Sequence, residues 1–282
     1  MLYLTQIFVF IFGTIIGSFL NVVIFRTEKE EEIVKTPSHC PYCKTRLKWF
    51  ELFPLFSYLS LRAKCRYCRE KISAQYPMVE AAVGFGFVFL FDYLSGKFGV
   101  LSPRFLVEVF FLAAIYCFLL LIFVYDLKTK IIPDNFLLPA AFLSFFYLLQ
   151  KDIFQNCLDI SNSRVVLGVM AAAAASFFFW TLFYFSKGRW MGFGDVKLVM
   201  LLGFLLGPKA MAVALFIAFF LGSVVGVALV AFSRLKMKSQ IPFGPFLVLG
   251  GILAFFYADR FIVDYYKLLN YLNVAWYYRI FL

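Results

Sequence analysis

Asp126 and Asp195 are the residues of this chain best placed for acid–base chemistry. Asp126 ends a long apolar run in Asp-Leu-Lys-Thr-Lys-Ile-Ile-Pro-Asp134, and Asp195 closes Gly192-Phe193-Gly194-Asp195 where another apolar run begins. A carboxylate beside a lipid span is costly to keep charged, so its presence points to function. Two facing carboxylates suit aspartic proteolysis. The ionised one draws a proton from a water that attacks a peptide carbonyl, and its protonated partner supports the developing oxyanion. Brought close together, the two cannot both ionise and titrate as one unit. The sequence offers no serine–histidine arrangement and no His-Glu-x-x-His helix, so rival protease mechanisms lack their parts.

Each aspartate also has a purely structural reading. Asp195 could cap the helix that follows it, and Asp134, after Pro133, reads best as the cap of its own helix. Asp126 is harder to dismiss, because it sits at the C-terminal end of a span, where the helix macrodipole opposes negative charge. Gly192 and Gly194 permit the close backbone approach that a peptide lying against the site requires.

A second constellation lies upstream: Cys40-Pro-Tyr-Cys43 and Cys65-Arg-Tyr-Cys68, separated by 21 residues. Two such pairs at this spacing signal a closed tetrahedral thiolate site, with zinc the expected structural metal. On a reducing cytoplasmic face, two disulfides are the weaker alternative. With little apolar mass of its own, the insert carrying them is expected to need the metal to fold. His39, the one histidine, reads as a solvated neighbour because four cysteines already complete the set. Cys117, inside a span, reads as a packing residue, and Cys157, alone in a loop, has no assignable partner.

Long apolar helices must position these residues. Hydrophobic residues make up 63% of the chain and charged residues 15%, against about 45–50% and about 25% in soluble domains. The chain therefore reads as an all-α polytopic membrane protein. Spans of about 20 apolar residues are expected near 3–25, 78–95, 105–125, 136–150, 165–185, 196–207, 210–232 and 242–258. That gives about eight helices and four regions: a first transmembrane helix at 1–25, a four-cysteine zinc-binding insert at 26–77 between helices 1 and 2, a membrane core at 78–258, and an interfacial aromatic tail at 259–282. The first run lacks the flanks of a cleaved signal and reads as a retained helix.

Basic loops stay on the cytoplasmic side. The segments at 26–77, 126–135, 186–197 and 233–241 hold 19 of the 27 basic residues, which places both aspartates on one cytoplasmic face and both termini outside. The net charge of +11 fits an anionic lipid surface. No aromatic-basic RNA motif or zinc-finger helix accompanies it, so the bilayer and not nucleic acid is the expected partner. Gly13-x-x-x-Gly17 and Gly222-x-x-x-Gly226 read as helix-packing motifs. The acidic run Glu28, Glu30, Glu31 and Glu32 reads as a solvated face.

With those residues in view, the chain resembles the bacterial type IV prepilin peptidases, membrane aspartic peptidases of the Gly-x-Gly-Asp kind. The resemblance runs through Gly17-Ser-Phe-Leu-Asn-Val-Val-Ile-Phe-Arg26, Ser38-His-Cys-Pro-x-Cys43, Ser57-Tyr-Leu-x-Leu-Arg62, Cys65-x-x-Cys68 and Ile72-Ser-Ala-x-Tyr-Pro-x-Val-Glu80. It continues in Asp126 with Ile132-Pro-Asp134, and in Gly192-x-Gly-Asp195-x-Lys197-Leu. It implies cleavage of the basic leader from prepilins or pseudopilins at the cytoplasmic face of the inner membrane, with Asp126 and Asp195 matching the catalytic pair. It also implies methylation of the new N-terminus from S-adenosylmethionine, an activity associated with the cysteine-bearing insert. A peptidase without methyltransferase activity is the main alternative. An ion-coupled transporter would show paired helix breaks in related halves, and no such repeat is present. A metal-organised scaffold would not need the aspartates. The chain departs from the family pattern at Leu52-Phe53-Pro54 and Ala63-Lys64, both within the insert.

Overall fold

A computed structural model of the chain describes residues 2–32, 37–100, 102–154, 163–232 and 241–281, the side chains of Leu2 and of 272–281 excepted. Cys157 and most of the basic loop at 233–241 fall outside those residues. The described residues are helical almost throughout, as expected where lipid leaves backbone groups no partner but their own helix. The helices are α1 (Leu2–Lys29), α2 (Phe56–Ser60), α3 (Gln75–Phe98), α4 (Pro103–Thr129), α5 (Asp134–Phe154), α6 (Arg164–Ser186), α7 (Phe193–Ala231) and α8 (Gly244–Phe281). Seven of them are long and apolar enough to cross a membrane, so the chain is a multi-pass membrane protein. It forms two compact units, residues 1–117 and 118–282.

In the first unit, α1 and α3 lie antiparallel at backbone contact. A Cβ at Gly13 would stand 2.8 Å from the Gly84 Cα, and one at Gly17 would stand 2.7 Å from the Glu80 Cα. Only glycine allows that approach, so the Gly13-x-x-x-Gly17 expectation holds. Asn21 Nδ2 donates to the Tyr76 carbonyl at 3.0 Å near one end of the pair, and Gln6 Nε2 donates to the Asp92 carboxylate at 2.9 Å near the other. Along α4, Tyr116 donates its hydroxyl to the Ala82 carbonyl at 2.8 Å, and Cys117 is buried as a packing residue.

In the second unit the spans expected at 196–207 and 210–232 are both present, as the two sides of α7, which is broken where Gly207 leaves helical geometry at φ 73°, ψ 176°, ahead of Pro208. The two sides of that break meet α8 in opposite senses. Gly194 and Gly244 both contact Ile132, and Leu202 meets Gly251, so 193–206 runs with α8. Gly222 meets Phe243 and Phe246, whereas Ala214 and Ala218 meet Gly250, so 208–231 runs against it. The chain therefore reverses at Gly207-Pro208. Proline cannot continue a helix hydrogen-bond ladder, and glycine accepts the positive φ. The Gly222-x-x-x-Gly226 expectation holds in part: Gly222 faces the Phe243 ring at 3.4 Å, while nothing among the described residues lies within 4 Å of a Cβ at Gly226.

Buried Asp152 at the end of α5 caps α6. Its carboxylate accepts from Ser163 Oγ at 2.7 Å and from the Arg164 and Val165 amides at 3.0 and 3.2 Å, satisfying helix-start donors that lipid cannot. The aromatic tail continues α8 without a break beyond 258.

Candidate active site and cysteine cluster

Asp126 occupies the last turn of α4, which closes at Lys130 in a left-handed conformation (φ 58°) with the Lys130 amide donating to the Asp126 carbonyl at 2.8 Å. The carboxylate therefore sits at the negative end of the helix dipole, an unfavourable place for a purely structural acid. It is buried, at 4% exposure. Its Oδ2 is enclosed without a hydrogen bond of good geometry and is pressed against the backbone of Gly244, where a Cβ would overlap it.

Asp195 is the third residue of α7, and Gly192 occupies the N-cap position. The capping reading is half right. Asp195 Oδ2 accepts from the Gly192 amide at 3.2 Å, the reach-back half of a capping box, and glycine has no side chain to supply the other half. The carboxylate is 9% exposed.

Ile132 joins the two aspartates. A Cβ at Gly194 would lie 3.1 Å from Ile132 Cβ, and one at Gly244 would lie 3.3 Å from Ile132 Cδ1. The C-terminal end of α4, the start of α7 and the start of α8 thus gather around one side chain, with Asp126 and Asp195 near enough to interact electrostatically. Gly192 stands beside the Asp195 carboxylate and Gly194 against Ile132, so all four sequence-predicted residues of this site converge.

Two residues of the arrangement were not anticipated. Gly244 is one; its only signal was a Gly-Pro pair ahead of an apolar run, which reads as a helix start. Lys197 is the other. Its Nζ meets the Asp134 carboxylate at 2.7 and 2.9 Å, so Asp134, expected as a cap of α5, is instead an ion-pair partner linking α5 to α7. The Lys197 ammonium offers the Asp134 carboxylate more than backbone amides do.

In the first unit, Cys40, Cys43, Cys65 and Cys68 converge with all sulfurs within 4.8 Å of one another. Cys40 and Cys68 Sγ are 3.9 Å apart, close to the ~3.8 Å that four sulfurs ~2.3 Å from a tetrahedral zinc would show. Both Cys-x-x-Cys turns close alike. Lys44 and Arg69 take left-handed backbone and donate their amides to the Cys40 and Cys65 carbonyls at 2.9 and 3.0 Å. The Thr45 hydroxyl and amide hold the Cys43 thiol down to about 6, and the Cys68 amide lowers that of Cys65. Burial raises the Cys40 thiol, and at Cys68 the Glu70 amide is outweighed by burial and the neighbouring thiols, which raise it to about 11. The convergence of four sulfurs, and not their resting protonation, is what lets the cluster hold a metal ion. His39 stays outside it, with Nδ1 3.2 Å from the Pro37 carbonyl.

Two family models match the chain: the Bacterial Peptidase A24 N-terminal domain over residues 11–94 and the Type IV leader peptidase family over residues 113–227. The prepilin leader peptidase/N-methyltransferase of Bacillus subtilis (strain 168) is 31% identical over 266 residues, covering 92% of this chain and 97% of that protein. The chain belongs to the type IV leader peptidase family. Proteins of the same name from Xanthomonas campestris pv. campestris and Aeromonas hydrophila are 30% and 31% identical, covering 90% and 89% of the chain and 92% and 90% of their own lengths. No solved structure matches. The four cysteines lie in the first matched domain, and Asp126 and Asp195 lie in the second.

Proposed function

We propose that this member of the family is a prepilin leader peptidase in which Asp126 and Asp195 activate water, and that it also methylates the N-terminus it creates. The observation that carries the peptidase reading is that both carboxylates are buried on helix ends drawn together around Ile132, which Gly194 beside Asp195 and Gly244 against Asp126 both meet. One carboxylate takes a proton from water as the water oxygen bonds to the scissile carbonyl carbon. The other, carrying a proton, donates to the carbonyl oxygen, and proton transfer to the peptide nitrogen releases the leader. Gly192, with no side chain and only the Asp195 turn beside it, leaves room for an extended substrate, while Gly194 lets the start of α7 close on Ile132. The basic-residue bias supports a cytoplasmic orientation for this end of the bundle, and the resemblance to prepilin peptidases supports the inner membrane as its location.

The cysteine cluster supports the second activity only by marking the insert. Cys40, Cys43, Cys65 and Cys68 would hold zinc in a closed structural site, fixing the two turns relative to each other. S-adenosylmethionine would enter as the methyl-donating substrate. Purified protein in detergent, given a prepilin and labelled S-adenosylmethionine, should yield a shortened pilin carrying label on its new N-terminus, as read by mass spectrometry. A shortened but unlabelled product would reduce the enzyme to a peptidase, and an intact prepilin would refute both activities.

A further inference from the structure

The insert between α1 and α3 carries an apolar face that its own fold does not cover. Between residues 49 and 59, Trp49, Phe53, Phe56 and Leu59 are 74, 51, 70 and 72% exposed. Three of the four exceed, and Phe53 comes close to, the values on the outward side of α1, where Phe12, Ile15 and Phe19 are 58, 52 and 55% exposed. Trp49 and Phe53 meet edge to face with ring centres 5.9 Å apart, and so many large apolar side chains exposed within eleven residues are rare in water.

The position of the segment along the spans explains the match. The Leu55 amide donates to Glu80 Oε2 at 2.8 Å, and the Glu80 backbone packs on Gly17 of α1. Gly17 lies nine residues before Arg26, about 13 Å down the helix axis toward the bilayer centre. Allowing for the reach of the Glu80 side chain back toward the start of α3, Leu55 sits below the plane of Arg26. Irregular backbone at that depth must have its polar groups satisfied, and several of those in this segment are. Besides the Leu55 amide, those of Ser57, Leu59 and Leu61 donate to the carbonyls of Phe53, Leu55 and Ser57 at 3.0, 3.1 and 3.0 Å. The Lys48 amide donates to buried Glu51 Oε2 at 2.8 Å. Leu55 holds a left-handed φ of 59°, a strained geometry for a bulky side chain, fixed by the bond to Glu80.

Charge completes the case. Residues 44–71 contain eight basic side chains against two acidic ones, one of which, Glu51, is buried. Arg66 places its guanidinium 5.4 Å from the centre of the Phe50 ring and Lys48 its ammonium 5.9 Å from it, the mixed aromatic and basic dress of an interfacial segment.

We propose that residues 47–61 form a monotopic element seated in the anionic leaflet at which α1 ends, with Trp49, Phe53, Phe56 and Leu59 at the headgroup–acyl boundary and the flanking basic residues among the phosphates. The cysteine turns are thereby held at the membrane surface and not free in solution. The seat depends on neither aspartate, so its test is independent of the proteolytic reading.

The full chain is reconstituted into vesicles of phosphatidylglycerol and phosphatidylcholine, the latter brominated near the headgroup or near the chain terminus. Trp49 is read as the emission lost in Trp49→Phe, and Phe56→Trp in that background serves as a second probe. Both probes should emit at shorter wavelength than in water, be quenched more by the shallow bromines than by the deep ones, and resist aqueous acrylamide. Omitting phosphatidylglycerol should weaken the shallow quenching, and equal quenching without it would overturn the anionic preference. Acrylamide quenching without bromine quenching would place the face in water. Protection from both quenchers would mean that protein covers it, as a substrate helix docked there would. Either outcome overturns the proposal.

Discussion

The backbone of Gly244 lies so close to the Asp126 carboxylate that a single added carbon would overlap Oδ2. The start of α8 therefore forms a wall of the site, and the contact can be tested by adding that carbon. Gly244→Ala must displace either the carboxylate or the helix, and overpacking of this kind costs about 1–3 kcal/mol. If the displacement falls on the reacting geometry, kcat drops by about tenfold or more. Gly194→Ala, facing Ile132 Cβ at 3.1 Å, should cost less. Gly226→Ala, with none of the described residues within 4 Å, should leave cleavage unchanged. Turnover of a prepilin by the three variants checks the order.

The Lys197–Asp134 pair ties the start of α7 to the start of α5 with side chains that are 34 and 56% exposed. A pair this accessible is worth about 0–1 kcal/mol in stability. Asp134→Asn should therefore leave thermal unfolding nearly unchanged while lowering kcat through a loosened Asp195 turn. Exchanging the two residues (Asp134→Lys with Lys197→Asp) should recover more activity than either single change retains. A double-mutant cycle on kcat checks the coupling, and purely additive effects would show that the pair does not position the site.

Gly17 is a stability position. A methyl group there meets the Glu80 backbone and not a flexible side chain, so Gly17→Ala should destabilise the α1–α3 pair by about 1–3 kcal/mol. Because Glu80 also holds Leu55, the insert should become more accessible to protease in the same variant. Limited proteolysis alongside thermal unfolding in detergent measures both effects.

The cysteine cluster should contain near-stoichiometric zinc by elemental analysis, lost in Cys40→Ser. Because metal-binding energy is folding energy in a small site, residues 38–72 should become protease-sensitive in that variant. A metal-free wild type would refute the site.

The spans, the paired cysteines and the two aspartates were legible because each is a pattern in one dimension: apolar runs, fixed Cys-x-x-Cys spacing, and acids at the edges of those runs. Gly207-Pro208 was legible too, as the gap between two expected spans, and the chain reverses there. What stayed hidden depends on elements distant in sequence. Asp134 after a proline looks like a cap, and only the fold brings Lys197 to it. Gly244 looks like a helix start until Asp126 lies against it. The insert reads as a metal-dependent segment with little apolar mass of its own, because composition does not register that Glu80 holds Leu55 beside the α1–α3 pair. In each case a local rule was overruled by a neighbour more than 20 residues away.

The account stands on Asp126 and Asp195 acting together, and cleavage of a purified prepilin by Asp126→Asn and Asp195→Asn in detergent is its most direct measurement. Each substitution removes an acid–base group at nearly constant volume, so each variant should remain folded, keep its metal, and lose at least about 100-fold in kcat. Undiminished cleavage by either variant would contradict the account.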